Sequence, residues 1–205
     1  MIDKIIDEIN AALSHNLYFA ALSLVLTLPD ICGRAEYPSY SVTARYISWY
    51  NRYIGQYDCC PCDACKDAQM PHLSGEVVYN LRNSFLHQGT PNINSSKIND
   101  ATNKIDDFIL VVEKENEFNI YSDASSVVSL EAGESLHKSY RVSIRRLCLI
   151  ITLSAKNFYD KNRDKFNFFN YCIFDFNKHT NSVSKEDCKL MLEEISKDIS
   201  IEKRS

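Results

Sequence analysis

Only five glycines occur among the 205 residues, and they form neither a G-x-x-x-x-G-K nor a G-x-G-x-x-G run. The phosphate-cradling loops of standard NTPases and dehydrogenases are therefore missing. No window approaches the apolar length of a membrane-spanning segment, and Met1-Ile2-Asp3-Lys4 lacks the basic-then-apolar order of a secretion signal. A cytoplasmic protein without a membrane partner is expected. Basic residues are outnumbered, 23 Lys and Arg against 27 Asp and Glu, for a formal charge of -4. That balance excludes coating a long nucleic acid, which needs many cations on many phosphates. A local cluster can still engage one or a few phosphates, so a specific or small target is expected. Internal repeats and low-complexity segments are absent.

Cysteine is plentiful, with eight residues. In a reducing compartment these read as thiols or metal ligands rather than a disulfide framework. Cys62 and Cys65 have the C-x-x-C spacing of a zinc knuckle, and Cys59 or Cys60 with His72 would complete four ligands. A second knuckle is missing, since Cys148, Cys172 and Cys188 are scattered. The plainer reading, a variable loop of reduced thiols, is preferred, and no metal or other cofactor is expected. A thioredoxin-like role is disfavoured because no βαβ pattern surrounds the pair.

The remaining pattern is mainly helical. Apolar residues recur in steps of three or four from Ile2 to Leu28, which predicts a long helix over 2–28, stopped by Pro29 and Gly33, with Cys32–Pro38 as a loop. A second helix over 41–57 carries an aromatic stripe of Tyr46, Trp49, Tyr50 and Tyr53, expected to pack rather than to stack bases. Ile98 to Ile105 suggests a short helical piece. Phe108–Val112, Phe118–Tyr121 and Val127–Leu130 are short β-prone runs, and Leu136, Tyr140, Ile144, Leu147 and Ile151 predict a helix over 134–160. Ser184 and Asp187 resemble a capping box opening a last helix, and the phenylalanine-rich run 166–176 fits strand and helix equally. The expectation is one mainly α domain: a helical core of about 1–105 and 134–160, a β-hairpin or ribbon insertion at about 106–130, and an appendage at 161–205.

The stretch Leu73 to Gly89 says most about chemistry. Ser74 suits an N-cap, Glu76 the first turn and Gly89 a left-handed C-cap, which predicts a helix over 73–88. Val77, Val78, Leu81 and Phe85 share one face; Tyr79, Arg82, Asn83, Leu86 and His87 share the other. A solvated face would more naturally carry Lys and Glu. Arg82 suits a phosphate, because its planar fork donates two bonds, and His87 can serve as base or acid, since histidine as a residue type titrates near neutral pH. Asn83 can orient the imidazole or bind a phosphate oxygen. Arg141 and Arg145, one turn apart on the predicted helix over 134–160, are candidates to hold RNA beside them, although a solvated or salt-bridged face accounts for them more simply. The plain alternative makes Arg82 the partner of a carboxylate and His87 a carbonyl-capping core residue.

Arg82, Asn83 and His87 spell R-N-x-x-x-H, and here the chain resembles the HEPN family (higher eukaryote and prokaryote nucleotide-binding), helical proteins that often act as metal-independent endoribonucleases. The surrounding Tyr-x-Leu-Arg-Asn-x-x-Leu-His-x-Gly and the preceding Trp-containing helix strengthen the resemblance, which extends over about 1–160. It implies Arg82, Asn83 and His87 as catalytic residues, with Tyr79, Arg141 and Arg145 placed as substrate-binding candidates beside them. It also implies RNA as substrate, a homodimer that brings two motifs into one cleft, and a toxin or anti-phage setting with an antitoxin protein as partner. HEPN domains that bind a nucleotide or a protein without cutting are the competing expectation.

Overall fold

Seven α-helices and three strands occur among the described residues. A computed structural model describes residues 2–58, 72–112, 124–128 and 137–168. The N-terminal run is α1 (Ile2–Ser14), α2 (Tyr18–Val25) and α3 (Leu28–Glu36). The single long helix expected over 2–28 is thus broken, at Asn16, whose φ of 58° is left-handed. Asparagine tolerates that conformation, because its short side chain bonds locally; Asn16 Oδ1 accepts from the Tyr18 hydroxyl at 2.7 Å. The expected loop after Pro29 is instead helical. Pro29 stands in the first turn of α3, where a missing N–H costs nothing.

Helix α4 (Val42–Tyr50) starts at Ser41, whose hydroxyl accepts from Ala44 N at 3.3 Å. It passes through one π turn (Asn51–Gly55) into the short α5 (Gln56–Asp58). Tyr46, Trp49 and Tyr50 are buried, so the aromatic stripe packs as expected. Trp49 and Tyr53 lie against Phe158 at ring separations of 5.9 and 5.1 Å, and Phe166 closes the cluster at 5.9 Å from Phe158. The motif helix is α6 (Gly75–Gln88). One 3-10 turn, Ala101–Asn103, stands where a short helical piece was expected, and another, Ser95–Lys97, precedes it.

The fold is mainly α with a small β insertion. Strands β1 (Asp107–Val111), β2 (Ala124–Val128) and β3 (His137–Ser143) form a sheet in the order β1-β3-β2. β3 pairs parallel with β1, Phe108 opposite Tyr140, and antiparallel with β2, Ser125 opposite Tyr140. The β region therefore reaches Ser143, and the helix expected from 134 begins only at α7 (Ile144–Lys161). Tyr140 and Val142 are buried with Arg141 exposed between them, a two-residue period that the helical spacing of Tyr140 and Ile144 conceals. Ser143 then caps α7 through Arg146 N at 3.2 Å.

Helix α7 is the hub, packing against α1, α2 and α3, while α4 packs against both α3 and α6. Residues up to Phe166 form one compact unit, and a second begins at Asn167. The stretch Tyr18–Glu36, 19 residues, is long and apolar enough by composition alone to cross a membrane, contrary to the sequence reading. In the fold it is split between α2 and α3, and half of it is buried. The zinc candidates Cys59, Cys60, Cys62 and Cys65, the run Phe118–Tyr121 and the expected last helix lie outside the described residues.

Candidate active site

The start of α6 is fixed by side chains from elsewhere, and its end by its own backbone. At the start, Ser74 Oγ accepts from Val77 N at 3.4 Å and from Asn103 Nδ2 at 2.8 Å. Asn103 is buried, and its Oδ1 accepts from His72 N at 2.7 Å. Gly75 N donates to Asn51 Oδ1 at 2.6 Å, so the π turn of the preceding helix holds the first turn of α6. Glu76 accepts from Asn99 N at 3.0 Å and ties the 3-10 segment to the same end. At the other end Gly89, with φ of 67°, donates to Phe85 O at 3.1 Å and stops the helix.

Between these anchors the two faces separate as their spacing requires. Val77, Val78, Leu81 and Phe85 are buried. On the other face Arg82 and Asn83 are half-buried and His87 is exposed. Arg82 Nη1 donates to Asn83 Oδ1 at 2.8 Å and lies 3.5 Å from His87 Nε2. His87 Nε2 thus lies within reach of the Arg82 guanidinium on the same helix face. Among the described residues, Arg82 Nε is buried without a partner, while Nη2 makes no hydrogen bond and is not buried. Among the described residues no carboxylate pairs with Arg82, and no backbone carbonyl receives His87. The plain alternative, an arginine in a salt bridge and a histidine capping carbonyls, therefore loses both of its contacts.

The floor under Arg82 is aromatic. Tyr46 is fully buried, and its hydroxyl donates to Leu26 O at 3.2 Å. Burial pushes that hydroxyl's pKa up, and the nearby Arg82 charge opposes the rise. Tyr79, a candidate for substrate contact, is half-buried against Tyr46 at a ring separation of 5.1 Å, and its oxygen accepts from Thr43 at 2.9 Å. It therefore belongs to the α4–α6 packing that supports Arg82.

Arg141 and Arg145 do not stand together. Arg141 is on β3, exposed; Arg145 is in the first turn of α7, so the one-turn spacing expected of them does not exist. Arg145 Nη2 donates to Leu13 O at 3.2 Å and to the Tyr18 hydroxyl at 3.2 Å, and its guanidinium sits 5.3 Å over the Tyr18 ring. It clamps the α1–α2 junction. His72 meets the start of α6 through its backbone, its N–H donating to Asn103 Oδ1 and its carbonyl accepting from Ser74 N at 2.9 Å. Sequence reading missed Thr43, Asn51 and Asn103, because each acts across 24 residues or more and no local spacing marks it. Comparison with protein-family models, curated proteins and solved structures finds no match.

Proposed function

We propose that this chain is an endoribonuclease that works without a metal, through Arg82, Asn83 and His87. The observation that carries the reading is a guanidinium with no carboxylate partner among the described residues, held by Asn83 and 3.5 Å from an imidazole nitrogen on the same helix face. An arginine so placed is a ready phosphate ligand, and an exposed imidazole beside it is a ready base.

In the reaction, the phosphodiester binds the free Nη2 edge of Arg82. The 2′-hydroxyl attacks phosphorus in line, and its proton passes to His87 Nε2. The P–O5′ bond breaks, giving a 2′,3′-cyclic phosphate and a 5′-hydroxyl. Arg82 stabilises the extra charge on the phosphorane oxygens. Asn83 holds Arg82 through its Oδ1. One imidazole cannot both accept the nucleophile's proton and donate to the leaving oxygen in the same step. A homodimer in which a second His87 faces the same cleft supplies the acid.

The test is cleavage of a panel of RNAs in EDTA. Cyclic phosphate and 5′-hydroxyl ends are expected. His87→Ala abolishes cutting with the fold intact, and Arg82→Ala lowers kcat/KM by about 2–4 kcal/mol of transition-state stabilisation. RNA bound equally well by wild type and His87→Ala, but never cut, would replace the nuclease with a binding module built on the same face.

A further inference from the structure

Phe19 stands in the first turn of α2, is 70% exposed, and is stacked on the buried Phe85 of the motif helix at a ring separation of 5.7 Å and an interplanar angle of 23°. A large aromatic with one face covered by another ring and the other open to water is the form of a stacking platform. Phe85 lies three residues after Arg82, where the buried face of α6 borders the face that carries Arg82, with about 5–6 Å between their Cβ atoms.

We infer that Phe19 is the base-stacking residue of this site, and that the nucleic acid it takes is single-stranded. The inference rests on the reading of Arg82 as a phosphate ligand. Two further observations support it. The net charge of -4 leaves little affinity to come from phosphate neutralisation, so binding needs a contribution that does not depend on charge. The platform is also held rigidly from behind. Asn16 Oδ1 and Arg145 both bond the Tyr18 hydroxyl, at 2.7 and 3.2 Å, and so fix the entry of α2 immediately before Phe19. A duplex keeps its bases stacked on one another and cannot offer a free ring face to Phe19.

The test uses the full chain carrying His87→Ala, to prevent cleavage, with a short fluorescein-labelled oligouridine and fluorescence anisotropy. Phe19→Ala is expected to raise Kd about 5- to 100-fold, the usual effect of losing one base–aromatic stack. Phe19→Trp is expected to restore or tighten binding, since tryptophan presents a larger ring. A blunt duplex RNA is expected to bind poorly and to be indifferent to Phe19→Ala. If Arg82→Ala weakens binding but Phe19→Ala does not, the stacking inference is overturned and the phosphate reading stands. If Arg82→Ala also changes nothing, both are overturned. Sedimentation velocity of Phe19→Ala completes the test: loss of the dimer together with loss of RNA binding would make Phe19 a protein contact and overturn the inference.

Discussion

Arg145 carries a stability role that its charge disguises. Its guanidinium is shared among Leu13 O, the Tyr18 hydroxyl and the Tyr18 ring, across the one left-handed asparagine among the described residues. Arg145→Met keeps the aliphatic stem but removes the donors, so unfolding free energy is expected to fall by about 1–3 kcal/mol in urea titration. An unchanged midpoint would show that Asn16 and Tyr18 hold the junction alone. Glu36 is a second case. Burial alone would raise its carboxyl pKa, but hydrogen bonds from Lys165 and Tyr53 and the charges of Lys165 and Arg52 hold it below the usual value. A carboxylate lowered on folding stabilises the protein above its unfolded pKa and loses that stabilisation as pH falls through the folded value. Glu36→Gln is therefore expected to be less stable than wild type at pH 7, with the difference shrinking in acid. Thermal melts from pH 7 to 3 measure it, and a constant difference would mean the charge is irrelevant.

The elements repeat this division between local and distant causes. Helix α6 could be read from its own residues, because Ser74, Glu76, Gly89 and the apolar period are all within one turn of what they control. Its docking could not. A Cβ on Gly75 would lie 2.7 Å from Ile47 O and 2.9 Å from Ile47 Cα, so α6 begins hard against the backbone of α4. Gly75→Ala, which would strengthen an isolated helix, is expected instead to destabilise the protein by about 1–3 kcal/mol and to lower cleavage by displacing Arg82. A stabilised Gly75→Ala protein would refute that close approach. The strand His137–Ser143 was hidden for the same reason: Tyr140 and Ile144 satisfy helical spacing, and only pairing with β1 and β2 decides between the two periods. The break at Asn16 likewise depends on a partner more than 120 residues away in the chain, Arg145.

For the whole molecule, the helical class and the chemical face of α6 were recoverable from spacing, while the order of strands in the sheet was not, because parallel pairing of β1 with β3 is a long-range event. The proposed cleavage makes a demand at this scale, since it needs two proton-transfer groups and one chain offers one motif histidine. Mixing wild-type and His87→Ala subunits tests it. A shared cleft predicts severe loss of activity in the mixed dimer, whereas independent sites predict half activity. Wild-type protein that stays monomeric at micromolar concentration, by light scattering, would remove the source of the second acid.

Ser143 is at once the last residue of β3 and the hydroxyl that caps α7. No linker separates the sheet from the hub helix, so strand register and helix start are one variable. A slip of β3 by one residue would turn its buried side chains outward. It would also offer Val142 or Ile144, neither able to accept a hydrogen bond, at the head of an 18-residue helix. A misregistered sheet is thus penalised twice, once in its own layer and once in the bundle, and the chain carries a built-in check on the fidelity of its folding.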